Sequence, residues 1–280
     1  MVFCEHPLDY ASLFSLQGKV IVITGAAGLL GRHHAEIVAS AGGIPILLDI
    51  AFEKLGEFAQ YLHTAYDVPV ASYQVDITNE EEVVANCAKV YEQFGRIDGL
   101  INNAANNPKV ENNQQNFSRL ENFAVSMWNS DIAVGLTGAF LCAKHYGQVL
   151  VKHAGSIVNI SSDLGLIAPD QRLYYQKGLS DNQQPVKPVT YSVVKSGLIG
   201  LTRYLSTYWA SLGVRCNALC PGGVENSQDA EFIRKVCSHI PLGRLARPNE
   251  YQGAILFLLS NASSYMNGSI ISIDGGRVVW

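Results

Sequence analysis

The sequence KVIVITGAAGLLGR, residues 19–32, decides the fold. It begins with an unbroken β-branched run, residues 20–23, of the kind that a parallel strand buried on both faces requires. Gly25, Gly28 and Gly31 then recur at every third position, and apolar residues resume at helical spacing. The stretch therefore predicts a buried strand, a glycine turn and the first turn of a helix.

The glycine turn has a specific chemical use. Glycine has no Cβ and accepts positive φ, so the backbone can turn tightly and approach a ligand, while the N–H groups at the helix start face an anion. The stretch is thus a candidate pyrophosphate cradle. Taken alone, it is also compatible with a purely structural strand-to-helix turn.

The composition is that of an ordinary globular protein. The 280 residues are 48% hydrophobic and 16% charged, which predicts a single domain with one large core. A net charge of −4 provides no general attraction for nucleic acid or anionic membranes, and this favours a small-molecule substrate. The N-terminal residues lack a targeting pattern and no window approaches a membrane span of ~18 apolar residues, so we expect a cytoplasmic protein.

The six cysteines are scattered without zinc-ligand spacing. Cys216 and Cys220 invite a metal interpretation, but they fall on one face of a predicted strand, which is typical of core residues. We expect reduced thiols and no metal.

Asp49 ends a second apolar run, residues 44–48, about 20 residues beyond the glycines. An acidic residue at that distance accepts hydrogen bonds from the adenosine ribose and repels a 2′-phosphate. The next residue is Ile50 rather than arginine, so the sequence favours NAD over NADP. Asp49 could also cap a helix starting at Phe52, and the two roles are compatible.

The rest of the chain continues to alternate between strand and helix patterns. Further strands are predicted at 70–75, 97–101, 157–160, 214–219 and 269–273, and helices at 52–66, from 80, 126–152, 190–209, 229–238 and 248–260. Two irregular stretches, 106–122 and 163–189, interrupt the alternation. This order predicts an α/β protein with a doubly wound parallel sheet in three α/β/α layers, and ligands at the carboxyl ends of its strands.

A second motif carries proton chemistry. Tyr191 and Lys195 lie four residues apart on one predicted helical face, so the ammonium group can lower the phenol pKa from its usual value of ~10. Ser162 would hold the substrate oxygen while Tyr191 moves its proton and a nicotinamide ring exchanges hydride. Without the upstream motifs, an amphipathic helix with a surface tyrosine and lysine would be the better interpretation.

From residue 18 to residue 276 the chain resembles the short-chain dehydrogenase/reductase family. The resemblance rests on TGAAGLLG, NNAA, NISS, YSVVK, PGG and the terminal DGG. It implies a Rossmann-type fold with Ser162, Tyr191 and Lys195 as catalytic residues. It also implies a homodimer or homotetramer whose interface uses the helices at 126–152 and 190–210.

The resemblance assigns the cofactor site position by position, with Asp76 on the adenine side and Lys195 on the nicotinamide ribose. The residues expected to contact NAD are Gly25, Gly28, Leu29, Leu30, Gly31, Asp49, Ile50, Asp76, Ile77, Asn103, Ala104, Ala105, Ile160, Tyr191, Lys195, Pro221, Gly222 and Val224.

Three positions depart from the family pattern. Gly135 stands where the family has a catalytic asparagine that anchors a water relay to the lysine. The threonine after the PG motif is missing, and Asn226 is the nearest replacement. The GAAGLLG spacing resembles the extended branch of the family, but the chain has no room for that branch's C-terminal domain.

The substrate is predicted from the insertion at 163–189, where PDQRLYY with KPVTYSVVK is similar to family members of flagellin modification and bacterial sugar biosynthesis. Its polar side chains are Asp170, Gln171, Arg172, Tyr174, Tyr175, Lys177 and Lys187. They suit a polyhydroxylated or phosphorylated ligand, and a solvated loop or an oligomer contact is the alternative. The candidate substrate contacts are Asn106, Asp163, Arg172 and Tyr175.

The sequence thus favours an NAD-dependent oxidoreductase that acts on a secondary alcohol or ketone of a sugar-like substrate. The alternative is a catalytically weak NAD-binding protein with a regulatory or structural role.

Overall fold

The computed structural model describes residues 9–106 and 118–280. A seven-stranded sheet forms its centre. The strands are β1 (Val20–Thr24), β2 (Ile44–Asp49), β3 (Ala71–Gln74), β4 (Gly99–Asn102), β5 (Ser156–Ile160), β6 (Arg215–Pro221) and β7 (Ile270–Ile273). All neighbours pair in parallel, in the order β3-β2-β1-β4-β5-β6-β7. The reversal of strand order beside β1 gives the doubly wound sheet that the sequence predicted.

Helices cover both faces of this sheet. In chain order they are α1 (Tyr10–Phe14), α2 (Leu29–Ser40), α3 (Glu53–Tyr66), α4 (Glu80–Phe94), α5 (Val125–Ile132), α6 (Gly138–Leu150), α7 (Val189–Tyr208), α8 (Ala230–Cys237) and α9 (Gln252–Leu259). One core cluster joins the sheet to α4, α6 and α7, and a second joins it to α2, α3 and α9. The chain is therefore a three-layer α/β/α domain.

Strand β1 explains why this region needs β-branched residues. All five of its residues are buried. Val20 and Val22 pack in one core cluster, whereas Ile21 and Ile23 pack in the other, because successive side chains of a strand point to opposite faces. A strand buried on both faces cannot alternate apolar with polar residues, and the sequence shows none of that alternation.

The long helix predicted at 126–152 differs in its middle. It starts at Val125 and ends at Leu150, but the segment Ala133–Thr137 is a π-helix between α5 and α6. The insertion at 163–189 contains three short 3₁₀ turns, the helix predicted at 248–260 begins as one, and α1 was not predicted. Of the irregular stretch predicted at 106–122, residues 107–117 lie outside the described residues.

The described part of the chain contains no helix long and apolar enough to cross a membrane. It also contains no group of three or more histidine, cysteine or acidic side chains placed to hold a metal ion. Cys216 and Cys220 are fully buried free thiols, in agreement with a core role. Cys4 lies outside the described residues.

Candidate active site

The polar motifs meet at the carboxyl edge of the sheet, around a cavity of about 800 Å³. The ends of β1, β4, β5 and β6 all open into it, because the strands are parallel and finish at the same edge. One end of the cavity is lined by the glycine turn and Asp49, and Tyr191 and Lys195 also line it. A ligand in this cavity can therefore touch both motifs that the sequence singled out.

The glycine turn is held against the NNAA segment. Gly25 has φ +63°, and a Cβ on it would lie 2.8 Å from the Ala104 Cα. The Asn103 side chain donates to the carbonyl oxygens of Thr24 and Gly25, at 3.0 and 3.1 Å. The turn is thus fixed in a shape that brings bare backbone to the cavity, as a phosphate cradle needs.

Gly31 has a different role from Gly25 and Gly28. It does not line the cavity, and a Cβ on it would lie 2.2 Å from the Gly25 carbonyl oxygen. It lets the first turn of α2 pack against the glycine turn.

Asp49 lies at the end of β2 and faces the cavity. Its two carboxylate oxygens accept hydrogen bonds from the backbone N–H groups of Ala27 and Ala51, each at 3.0 Å. Phe52 occupies the N-cap position of α3, so Asp49 fastens the turn rather than capping that helix. The neighbouring Ile50 is 68% exposed and brings no positive charge.

Ser162, Tyr191 and Lys195 come from two adjoining elements. Ser162 follows β5, and the other two lie one turn apart on α7. The Lys195 Nζ donates to the Ile160 carbonyl oxygen at 2.8 Å, and the Ser161 hydroxyl donates to the Lys195 carbonyl oxygen at 2.7 Å. These bonds join the end of β5 to α7 and hold the three side chains at one end of the cavity.

The electrostatics of Tyr191 differ from the sequence expectation. Burial raises the pKa of Tyr191, the Ser162 hydroxyl lowers it, and the charge of Asp163 raises it, with a net upward shift. Burial also lowers the pKa of Lys195 to about 8, with a further contribution from Lys187. The Lys195 Nζ is 5.8 Å from the Tyr191 ring centre. Tyr191 therefore keeps its phenolic proton at neutral pH.

Two cations that line the cavity were not among the predicted catalytic, cofactor or substrate contacts. The Lys187 ammonium lies 3.8 Å from the centre of the Tyr191 ring. Arg277 lines the same cavity and forms an ion pair with Asp163 at 3.0 Å. Arg277 follows the DGG motif at the end of β7, so its place at the carboxyl edge of the sheet was the available signal.

Most predicted contacts line the cavity, and three do not. Besides Gly31, Arg172 and Tyr175 lie outside the lining, whereas Asn106 and Asp163 are part of it. The Arg172 side chain is 87% exposed and pairs with Asp170. Tyr175 is 52% exposed, and its carbonyl oxygen accepts from Lys235. The two side chains lie on the solvent side of the insertion.

The family's asparagine position is filled differently here. Gly135 is buried in the π-helical segment, and a Cβ on it would lie 2.5 Å from the Val194 Cγ1 atom. Val194 thus occupies the space that a larger residue at position 135 would need. Asn226, the nearest replacement for the missing threonine, lines the cavity.

The residues present fit a nicotinamide dinucleotide. The glycine turn leaves space that a Cβ would fill, the start of α2 faces the same cavity, and Asp49 lies one strand away where a ribose would be held. The Tyr191 phenol lies in the second motif and lines the same cavity. This fold and site define a class, the nicotinamide-dependent oxidoreductases that act on alcohol and ketone groups.

Comparison with known proteins identifies the family. The short chain dehydrogenase family matches residues 19–176, and the family described as Enoyl-(Acyl carrier protein) reductase matches residues 179–277. The chain belongs to the short-chain dehydrogenase/reductase family, as the sequence motifs predicted.

Curated relatives cover nearly the whole chain. An uncharacterized dehydrogenase/reductase, y4vI, of Sinorhizobium fredii is 34% identical over 92% of this chain, which spans 43% of that protein. The 3-oxoacyl-[acyl-carrier-protein] reductase FabG of Aquifex aeolicus is 32% identical over 93% of this chain and 98% of its own length. Galactitol 2-dehydrogenase (L-tagatose-forming) of Cereibacter sphaeroides is 30% identical over 98% of this chain and 100% of its own.

A solved structure has the same fold. The gluconate 5-dehydrogenase of Burkholderia cenocepacia, in complex with NADP and tartrate, superposes with a TM-score of 0.84 at 25% identity. The match covers 97% of this chain and 100% of that one.

Proposed function

We propose that the protein is an NAD-dependent oxidoreductase that interconverts a secondary alcohol and a ketone on a sugar or sugar-derived substrate. The observation that carries this proposal is the single cavity that Asp49, the glycine turn, Ser162, Tyr191 and Lys195 share. When bound, the nicotinamide ring supplies or accepts the hydride. The protein's own residues do the rest of the chemistry.

The proton step belongs to Tyr191. In ketone reduction, Tyr191 gives its phenolic proton to the substrate oxygen while Ser162 holds that oxygen, and in alcohol oxidation the phenolate takes the proton back. The raised pKa of Tyr191 suits the donating direction. Lys195, fixed by the Ile160 carbonyl, would hold the nicotinamide ribose and keep a positive charge beside the ring.

Asp49 supports the preference for NAD. Both of its carboxylate oxygens are fixed by backbone N–H groups, so the charge cannot swing away from the cavity. A 2′-phosphate would meet this negative charge, with Ile50 beside it in place of a cation. The gluconate 5-dehydrogenase complex contains NADP, so the cofactor must be measured in this chain.

The cavity also suits a hydroxyl-rich substrate. Asn106, Asp163, Asp170, Tyr174 and Lys187 line it and offer both hydrogen-bond donors and acceptors. The names of the galactitol and gluconate dehydrogenases agree with such a substrate, while FabG acts on an acyl chain.

The deciding experiment follows nicotinamide absorbance with NAD or NADP and a panel of sugars, sugar acids, sugar phosphates and simple alcohols. We expect turnover with NAD on a hydroxyl-rich member, and Tyr191→Phe should lower kcat at least ~100-fold. Tyr265→Phe is the control, since Tyr265 is fully exposed and does not line the cavity. Unchanged turnover in Tyr191→Phe would remove Tyr191 from its role.

A second candidate function is a catalytically weak NAD-binding protein with a regulatory or structural role. Gly135 favours it, because the asparagine of the family's water relay is missing. Tight NAD binding without turnover on any panel member would support this candidate. The intact Ser162, Tyr191 and Lys195 support the enzyme instead.

We further propose a cytoplasmic homodimer or homotetramer. Phe140 on α6 is 48% exposed, and Tyr204 and Tyr208 on α7 are each 61% exposed and stacked on one another at 5.6 Å. Exposed apolar side chains on the two helices that the family resemblance assigns to the interface support self-association. A light-scattering mass equal to one chain would contradict it.

A further inference from the structure

A buried ion pair lies directly beside Ser162. Asp163 is 3% exposed, the Arg277 side chain is 10% exposed, and the Arg277 Nη1 is 3.0 Å from the Asp163 Oδ2. Arg277 begins the short 3₁₀ turn Arg277–Val279 after β7, so the pair joins the last turn of the chain to the segment that follows β5. The Asp163 Oδ2 makes no directed hydrogen bond among the described residues, so its contact with Arg277 is electrostatic.

The other carboxylate oxygen of Asp163 controls the Ser162 hydroxyl. The Ser162 Oγ donates to the Asp163 Oδ1 at 2.8 Å, and the Leu164 N–H donates to the same oxygen at 2.8 Å. A serine hydroxyl has one proton to donate. While Asp163 accepts that proton, Ser162 cannot give it to Tyr191 or to a substrate oxygen.

We propose that Asp163 and Arg277 are positioning residues that set the direction in which Ser162 donates its hydroxyl proton. This inference rests on the proposed roles of Ser162 and Tyr191. The guanidinium of Arg277 draws the carboxylate charge toward Oδ2 and weakens Oδ1 as a competitor for the Ser162 proton. The pair thereby leaves Ser162 able to turn toward Tyr191 and the substrate.

The charged groups around Tyr191 and Asp163 determine whether a substitution raises or lowers the pKa of Tyr191. Tyr191 is faced by Lys187 over its ring, by Lys195 and by Asp163. Asp163 is faced by Arg277, and its charge also raises the pKa of Cys220 and of Tyr251.

Removing the Asp163 charge changes the pKa of Tyr191 in two ways that have the same sign. The charge of Asp163 raises the pKa of Tyr191, and a Ser162 hydroxyl that donates to Tyr191 lowers it. Asp163→Asn keeps the shape of the side chain, removes the charge and weakens the competition for the Ser162 proton, so both changes lower the pKa of Tyr191. Arg277→Gln leaves the Asp163 charge unbalanced and must act in the opposite direction.

The test titrates Tyr191 directly. The ultraviolet absorbance of tyrosinate is followed against pH in the wild type, Asp163→Asn, Arg277→Gln and the double variant, each minus its own Tyr191→Phe version. We expect Asp163→Asn to lower the pKa of Tyr191 by about 0.5 to 1 unit, Arg277→Gln to raise it by a similar amount, and the double variant to follow Asp163→Asn. Glu250→Gln is the control, since it breaks a carboxylate pair with Arg244 outside this cavity.

A pKa of Tyr191 that is unchanged or raised in Asp163→Asn would overturn the inference, and so would shifts of the same sign in the two single variants. The titrations are repeated with Ser162→Ala, where only the charge effect remains; we expect a smaller shift for Asp163→Asn there, and a shift of equal size would also overturn the inference. If circular dichroism shows that Arg277→Gln does not fold, Arg277→Lys is measured in its place. The result for Asp163→Asn tests the inference in either case. The titration needs neither substrate nor turnover. An enzyme that is active but shows no shifts contradicts only this inference, whereas shifts in a protein without turnover contradict only the proposed function.

Discussion

Replacing Gly135 with asparagine would restore the family's side chain, but the structure predicts that the protein cannot accept it without damage. A Cβ at residue 135 would lie 2.5 Å from the Val194 Cγ1 atom and 3.4 Å from its Cγ2. Carbon atoms in contact are normally about 3.5–4.0 Å apart, so one side must move by about 1 Å. Val194 is 5% exposed and lies next to Lys195 on α7, which leaves little room for that movement.

The expected loss in the free energy of unfolding follows from the cost of overpacking a core. Inserting atoms into a packed core costs about 1–3 kcal/mol, and the gain in helix propensity over glycine returns only a few tenths. Val194→Ala removes two carbon atoms, costs about 2 kcal/mol by itself and opens the space that the asparagine side chain needs. In the Val194→Ala background, Gly135→Asn should therefore cost less than about 1 kcal/mol. For a single-variant cost of about 2 kcal/mol, the middle of the overpacking range, the coupling energy between the two sites is then at least about 1 kcal/mol.

The assay is urea unfolding of the wild type, both single variants and the double variant, followed by circular dichroism. Gly200→Asn is the matched control, because Gly200 lies on α7 and a Cβ there meets nothing within 4 Å. It should leave the free energy of unfolding within about 0.5 kcal/mol of the wild type. Turnover measured on the same proteins tests the relay, since only the double variant offers asparagine in an undistorted site.

Two results would refute this reasoning. Gly135→Asn could match Gly200→Asn in stability, which would mean that Val194 does not fill the space. Alternatively, the costs of the two single variants could simply add in the double variant, which would mean that the two sites do not compete for the same volume.

Three further predictions concern charge. Asp49→Asn should raise the preference for NADP at least ~10-fold, measured as the ratio of kcat/KM for the two cofactors, because the 2′-phosphate loses a like charge. Lys195→Met should raise the free energy of unfolding at pH 7 by about 2 kcal/mol. The lowered pKa of Lys195 means that burying the charged ammonium group costs about 3 kcal/mol, and its hydrogen bond to the Ile160 carbonyl oxygen offsets about 1 kcal/mol of that cost. That gain is complete below pH 8 and fades as the pH rises toward 10.5, which unfolding at several pH values checks. Lys187→Met should move the alkaline limb of the kcat/KM profile to higher pH, because the charge of Lys187 lowers the pKa of Lys195, while the exposed Lys177→Met leaves the profile unchanged.

Strands β1, β2 and β4 were predictable because each is a short apolar run that ends in a polar residue, and burial on both faces leaves no other pattern. The π-helical segment was not, because the helical spacing of apolar residues does not distinguish a π turn from an α turn. The same holds for α1, whose five residues include no buried one.

Some residues of the candidate site could likewise be predicted from the sequence and others could not. Residues at the end of a strand or within two positions of it, such as Asp49, Asn103 and Ser162, were predictable because parallel strands end at one edge of the sheet. Residues of the insertion were not, because residue type does not fix the direction of a loop side chain. Lys187 therefore lies over Tyr191 whereas Arg172 lies in solvent.

The catalytic end of the cavity concentrates buried charge, and this bears on the missing asparagine. Asp163 and Arg277 compensate one another, but buried Lys195 has a carbonyl oxygen rather than a carboxylate as its hydrogen-bond acceptor among the described residues. An asparagine in place of Gly135 would add a buried amide with four hydrogen-bonding positions to satisfy. Gly135 and Val194 place an apolar contact at this position instead. The chain therefore lacks the asparagine of the family's relay, but it also avoids a further buried polar group close to Lys195, whose charged form burial already disfavours.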